Sequence, residues 1–329
     1  MAWQIIFFGV RRTMSNRLLF SCRLAAASML ALALAACANN LASQGAQDGS
    51  AQYPPASPDA AQNFLRKGHE TRLARAIQDQ TRATSPRDKA EATRKVAAQL
   101  DSLGRSDEAL RQIDQALTLV EAGGKKDFVA TKAAILFSMN DPAGAMRLLA
   151  PQIEQIRTLA AANAKQKEIY LSIFSQGFLT ATFAQMQQEQ WAGALNTLAD
   201  AHSPLEGASF VAYKSLLYRY IMARANDPSL TNADLESSAK LYAVRDKTQY
   251  GALLRMWQGE DTSGDLRAIL ARKSGADRQE ALSEVLFHTG AFERFVRNDP
   301  EAGRQTLARL NQLAPYGSVE WIYGRRILQ

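Results

Sequence analysis

Few side chains in this 329-residue chain are equipped for chemistry. Cys22 and Cys37 are its only thiols, and His69, His202 and His288 its only imidazoles. A protein metal site needs such groups at short, recurring spacings, such as two histidines one helical turn apart with a glutamate between them. The three histidines lie far apart, and no His-Glu-x-x-His run occurs. His202 follows an alanine at an expected helix end, where an imidazolium suits the negative pole. His69 and His288 are expected as surface or groove residues. Gly123-Gly124-Lys125-Lys126 has the residue types of a phosphate loop, but Leu119 stands where that loop's first glycine belongs and Lys126 replaces its Ser or Thr. It reads as a helix end and loop. No serine sits in a Gly-x-Ser-x-Gly turn, and carboxylates scatter over helical faces. The expectation is no catalytic residue, no metal and no cofactor. An enzyme whose site follows no recognisable motif is the competing reading from another class.

Cys37 stands apart because of what precedes it. Arg17 and Arg23 lead into residues 24–36, thirteen residues with no charge, and the run ends Leu34-Ala35-Ala36-Cys37. This is the layout of a secretory signal, too short for a membrane-spanning helix of about 20 residues. The last four residues resemble the lipobox of bacterial lipoproteins. That resemblance implies a diacylglyceryl group on the Cys37 thiol, further acylation of the palmitate type, and cleavage just before Cys37, so that residues 1–36 form a signal peptide. Several acyl chains on one residue would hold the chain firmly to a bilayer. Ala38, where an Asp favours inner-membrane retention in enteric lipoproteins, implies the periplasmic face of the outer membrane of a Gram-negative cell. Translation from Met14 would give a leader of more usual proportions, and the choice between Met1 and Met14 stays open. Cys22 would leave with the leader, so no disulfide is expected.

The formal charge of +7 does not mark a nucleic-acid binder. Four arginines and no acidic residue precede Cys37. Removing those four from 39 basic residues leaves 35 against 32 acidic ones, a net +3 with no basic block longer than two residues.

The elements that would position a binding surface are helical. Residues 37–61 are poor in bulky apolar residues, contain Pro54, Pro55 and Pro58, and read as a flexible tether. Residues 62–329 show helical periodicity nearly throughout. The expected breaks are Ser85-Pro86, Gly104, Gly123-Gly124, Asn140-Asp141-Pro142, Ser203-Pro204, Asp227-Pro228, Gly259 to Gly264, Gly275, Asn298-Asp299-Pro300 and Pro315 to Ser318. The fold class read from this is all-α, an α-solenoid of helical hairpins. Val96 to Leu119 resembles the tetratricopeptide repeat (TPR), with Gly104 at the turn, small residues at Ala109 and Ala116, and Ile113 between them. Phe128 to Ile153 repeats the pattern with Ala145 and Leu149, and Ser175 to Ala201 with Trp191, Ala194, Leu198 and Ala201. The small residues allow close helix crossing. The third copy is offset by 49 residues, and the surplus is expected to lengthen helices through Gln155 to Tyr170. A looser copy spans Glu284 to Leu310. By register, the first helices line a concave groove with Arg94, Ala98 and Asp101, then Ala130, Ala134 and Phe137, then Gln176, Leu179, Phe183 and Met186. Phe137, Leu179, Phe183 and Met186 are the expected partner-binding stripe. The same spacing also suits packing against a neighbouring helix or the C-terminal segment.

The last 120 residues are similar to outer-membrane TPR lipoproteins of the NlpI type. The residues that carry this are Tyr213 to Tyr220, Tyr250-Gly251, Trp257 to Glu260, Glu284 with Phe287 and Gly290, Asp299 with Ala302, and Glu320 with Tyr323, Gly324 and Arg325. The resemblance implies a non-catalytic scaffold or adaptor that recruits other envelope proteins, among them peptidoglycan-cutting hydrolases and a processing protease. Other lipoproteins of the repeat class act as pilotins or as parts of pilus, secretion or outer-membrane assembly machinery, and that is the alternative. A homodimer would cap exposed solenoid ends.

Overall fold

Turn chemistry sets the helix ends. Asn63, Ser85, Asp141, Asn232, Asp299 and Ser318 each accept, through the side chain, the backbone N–H three residues on. Pro86, Pro142 and Pro300 follow three of these caps, where the missing N–H has no helical acceptor to lose. Asn140, Asn226 and Asn298 take left-handed backbone, with φ of 67°, 46° and 56°. Asparagine tolerates that region better than most residues, so each can stop a helix and reverse the chain.

The computed structural model describes residues 63–121, 124–202 and 207–329. The expected signal peptide and tether, with Cys37, lie outside the described residues. Fifteen α-helices and no strand occur among the described residues. They are α1 (Phe64–Arg82), α2 (Pro86–Ser102), α3 (Ser106–Thr118), α4 (Lys126–Ser138), α5 (Pro142–Ala162), α6 (Lys167–Ser172), α7 (Ser175–Gln187) and α8 (Trp191–Asp200). The C-terminal half holds α9 (Ala208–Ala225), α10 (Ala233–Arg245), α11 (Gln249–Met256), α12 (Ser263–Ala271), α13 (Gly275–Phe295), α14 (Pro300–Leu313) and α15 (Val319–Ile327). Consecutive helices pair as hairpins, and α2, α4 and α7 also pack side by side. The architecture is an all-α solenoid of helical hairpins.

The small residues expected at helix crossings are fully buried. Ala109, Ala145 and Ala194 are closed off, each with its apolar partner four residues on, Ile113, Leu149 and Leu198. The surplus before the third copy lengthens α5 to 21 residues, as far as Ala162, but not through to Tyr170. Asn163 leaves helical backbone (φ −138°, ψ 83°), and a 3₁₀ turn at Ala164–Gln166 leads into the short α6. Asparagine competes for backbone partners, which weakens a helix at such a point.

Two apolar clusters result. The smaller joins α1 to α4 through Leu73, Val96, Leu100, Ile113, Phe128 and Ile135. The larger runs from α4 to the C-terminus. The solenoid does not end open: α1 packs on α13. The backbone N–H of Leu65 donates to Gln279 Oε1 at 3.1 Å in a buried site, and Asn63 Nδ2 donates to the Ala314 carbonyl at 2.7 Å.

Candidate functional site

The first helices of the hairpins do present one face, as the repeat register requires. Ala98 and Asp101 on α2, Thr131, Ala134 and Phe137 on α4, and Gln176 on α7 line a common surface. Arg94 reaches from α2 to α4, its Nη1 3.4 Å from Thr131 Oγ1. The stripe expected to bind a partner is not open, however. Phe137, Leu179, Phe183 and Met186 are all 2% exposed or less. The chain's own C-terminal helix covers two of them, Phe137 through Arg326 and Phe183 through Tyr323.

The helix α15 is seated by an aromatic wedge and an arginine. The Tyr323 ring stands edge-on to Phe183 with centroids 5.6 Å apart, and to Tyr220 at 5.9 Å. Its hydroxyl lies 2.9 Å from that of Tyr220. Arg326 lies over Phe137 at 4.7 Å and donates to Gln187 Oε1 at 2.5 Å, to the Phe137 carbonyl at 2.6 Å and to the Ser138 carbonyl at 3.1 Å. Those carbonyls end α4, the negative pole where a cation is favoured. Burial, with Arg325 nearby, lowers the Arg326 pKa to about 10, so the cap stays charged at neutral pH. On its other side α15 packs closely at Gly324, where a Cβ would stand 3.2 Å from Leu310 Cδ2 and 3.4 Å from Phe287 Cδ2.

Deeper in the C-terminal half, two buried carboxylates hold four helices together. On α13, Glu284 accepts from Tyr250 Oη at 2.7 Å and from Gln249 Nε2 at 2.7 Å, both on α11. On α15, Glu320 accepts from Tyr213 Oη of α9 at 2.9 Å and from Ser318 Oγ at 2.8 Å. Burial, reinforced by the Glu320 carboxylate, pushes Glu284 up to about 7. Burial and the adjacent carboxylates hold Tyr213 and Tyr250 well above the usual phenol range, so both remain donors. The hydrogen bonds described around Glu284 and Glu320 come from the protein's own side chains. The role of the pair here is to clamp α9, α11, α13 and α15.

The two histidines expected at the surface or in the groove are buried instead. His69 sits between Gln99, whose Oε1 is 2.9 Å from Nδ1, and Gly317. Gly317 has φ 80°, and a Cβ there would come within 2.5 Å of the imidazole Nε2. His288 is fully enclosed, edge-on to Trp257 and Phe287, with neither ring nitrogen hydrogen-bonded. Burial lowers their pKa values to about 4 and about 3. On α13, Glu284 and His288 lie one turn apart within a run rich in apolar residues, the mark of a helix buried on most sides. Among the described residues, no group of three or more His, Cys, Asp or Glu is placed to hold a metal ion.

An opening remains on the concave face. A cavity of about 40 Å³ lies between α2, α4 and α7 on one side and Gly317, Val319 and Ile322 on the other. Asp101 lies at its edge, accepting from Ser106 Oγ at 2.7 Å and Ser138 Oγ at 2.9 Å. Burial raises the Asp101 pKa to about 6.

No family model matches the chain, and no curated protein matches it. Its class therefore rests on the architecture: an all-α solenoid of helical hairpins whose last helix docks on the ends of α4 and α7. Among the described residues no helix is long and apolar enough to cross a membrane.

Proposed function

We propose that the chain is a lipid-anchored scaffold of the outer membrane's periplasmic face, which holds other envelope proteins without catalysing a reaction. The observation that carries this is the hairpin solenoid itself. It is a frame in which successive first helices offer repeated positions to a partner and the remaining side chains serve to hold the frame. The lipobox-like Leu34 to Cys37 supports the anchor. The convergence of the C-terminal resemblance on one network supports an adaptor for envelope hydrolases. The stretches around Tyr213, Tyr250, Glu284 and Glu320, set apart in sequence, meet in the buried clamp. Because α15 occupies the Phe137–Phe183 stripe, partner contact is assigned to the mouth of the remaining cavity, at Asp101, Ala134, Gln176 and Ile322.

The test is capture from a detergent extract of the native envelope by the immobilised full chain, beside an Ala134→Trp variant that fills the cavity. Peptidoglycan hydrolases or a processing protease retained by the native chain, and lost with the variant, would support the adaptor. Pilus, secretin or barrel-assembly subunits would replace it with the assembly reading. A blank with both chains would favour an enzyme. A Cys37→Ser chain that still fractionates with membranes would remove the anchor.

A further inference from the structure

The cavity on the concave face has an apolar floor and a polar rim. Ala98 on α2, Ala134 and Ile135 on α4, and Val319 on α15 are buried and form the floor. Asp101 and Gln176 are partly exposed and stand at the rim. Ala98 and Ala134 keep 8% and 7% exposure, whereas Ala109, Ala145 and Ala194 at the helix crossings keep none. The first two methyls can therefore be reached from solvent. The volume of about 40 Å³ holds about three water-sized groups, the bulk of a methyl to isopropyl side chain.

The charge at the rim is uncompensated. The Asp101 carboxylate accepts from Ser106 Oγ and Ser138 Oγ, and among the described residues no cation pairs with it. Burial, opposed only by those two hydroxyls, lifts its pKa to about 6, and at neutral pH it still carries its charge. A carboxylate can accept about four hydrogen bonds, so about two places remain open. A partly buried charge with neutral donors alone gains most from a cation. Gln176 makes no hydrogen bond among the described residues, which leaves its amide for a peptide group.

A lysine side chain matches this layout poorly. Its ammonium stands at the end of its stem, so with the charge at the rim the stem would lie outside and the floor would stay empty. A chain N-terminus carries its ammonium and its side chain on the same Cα. The ammonium can rest on the rim carboxylate while a small side chain fills the floor.

We infer that the cavity takes the free N-terminus of a partner polypeptide whose first residue is small and apolar, with its ammonium on Asp101 and its side chain over Ala98 and Ala134. This rests on the assignment of partner contact to the same mouth, and it names the part of the partner that enters.

Methyl NMR of the full chain, labelled with carbon-13 at its alanine methyls, tests it near pH 7 with the synthetic peptide Ala-Gly-Ser-Gly amide. Saturable shifts are expected at Ala98 and Ala134 and not at the closed-off Ala109, Ala145 and Ala194. Acetylating the peptide's N-terminus removes its charge and should weaken binding at least about tenfold. Asp101→Asn should weaken it to the same extent, with a urea midpoint checking that the fold persists; the acetylation comparison needs no variant. N-acetyl-lysine methylamide, an ammonium without an adjoining side chain, should also bind at least about tenfold more weakly than the peptide. Absence of a saturable shift, equal binding of the acetylated peptide, indifference to Asp101→Asn in a folded chain, or equal or tighter binding of the lysine compound would each overturn the inference. Capture of envelope proteins that is lost with Ala134→Trp would still stand in each of those cases, so failure here is distinct from failure of the scaffold reading.

Discussion

His288 and Glu284 sit one turn apart on α13, and each is held away from its ordinary charge state in the opposite sense. A base whose folded pKa lies below its free value keeps full stability above the free value and loses it as pH falls toward the folded one. For His288 that window runs from about 6.5 down to about 3, and for His69 from about 6.5 down to about 4. At about pH 5 each costs about 2 kcal/mol relative to neutral pH. His288→Leu removes one of these losses together with two unsatisfied nitrogens. Its fall in stability between about pH 7.5 and about pH 5, measured by urea unfolding, should be about 2 kcal/mol smaller than that of the native chain. An equal fall in both would mean that His288 is not held neutral. Glu284 has the reverse sign. An acid whose folded pKa is raised is most favourable below its free value, and its contribution declines as pH rises from about 4.5 to about 7. Glu284→Gln keeps an acceptor for Tyr250 and, with the Gln249 amide turned over, a donor for its unsatisfied Oε1. It should stabilise the protein at about pH 7.5 by about 2 kcal/mol and by less than about 1 kcal/mol at about pH 5. A gain that grows on acidification would reverse this assignment.

At the level of elements, α15 is the decisive one, and Arg326 is where its docking is most directional. Three acceptors converge on one planar guanidinium, and two of them are carbonyls at the end of α4. Arg326→Met leaves those carbonyls unsatisfied at a cost of about 2 kcal/mol. Arg326→Lys restores the charge but not the fork and should recover only part of the loss. Urea midpoints of the three proteins decide this, and equal midpoints for Arg and Met would show that the helix is held by its aromatic face alone. Much of the element structure was legible beforehand. Ser85-Pro86, Asn140-Asp141-Pro142 and Asn298-Asp299-Pro300 act through backbone rules confined to a few residues. The alanines at 109, 145 and 194 act through the close crossing of adjacent helices. The docking of α15 was not legible in the same way, because Arg326 meets Phe137 across 189 residues. A Phe–Met stripe has the same spacing whether it faces a partner or the chain's own tail. The signal that could have decided it was α7 itself, whose run from Phe178 to Met186 is apolar or small on nearly every side, as a helix enclosed all round must be.

At the scale of the molecule, the closure of α1 on α13 changes how the solenoid should unfold. In an open solenoid each hairpin contacts only its neighbours, so the ends melt with some independence. Here the smaller cluster of α1 to α4 is tied to the larger one twice. It shares α4, which gives Phe128 and Ile135 to one cluster and Phe137 to the other. It also meets the far end of the chain through Leu65 to Gln279 and Asn63 to Ala314. Two ties make a single cooperative transition the expected behaviour. Three of the four tryptophans, Trp191, Trp257 and Trp321, pack on the larger cluster, so with Trp3→Phe as the common background tryptophan fluorescence follows that cluster, whereas far-ultraviolet circular dichroism follows every helix. In that background alone the two signals should coincide in urea. Asn63→Ala and Gln279→Ala together remove the hydrogen bonds of that closure and leave the α4 connection with the packing of His69 on Gly317 and of Arg66 on Tyr316. The dichroism should then begin to fall at lower urea than the fluorescence, as α1 to α3 melt ahead of the rest. The separation should be on the order of 0.5 M, since about 1–2 kcal/mol of coupling divided by a urea slope of about 2–3 kcal/mol per M gives that shift. Signals that still coincide in the double variant would mean that α4 and the remaining packing couple the two clusters and that the hydrogen bonds of the closure contribute little to cooperativity.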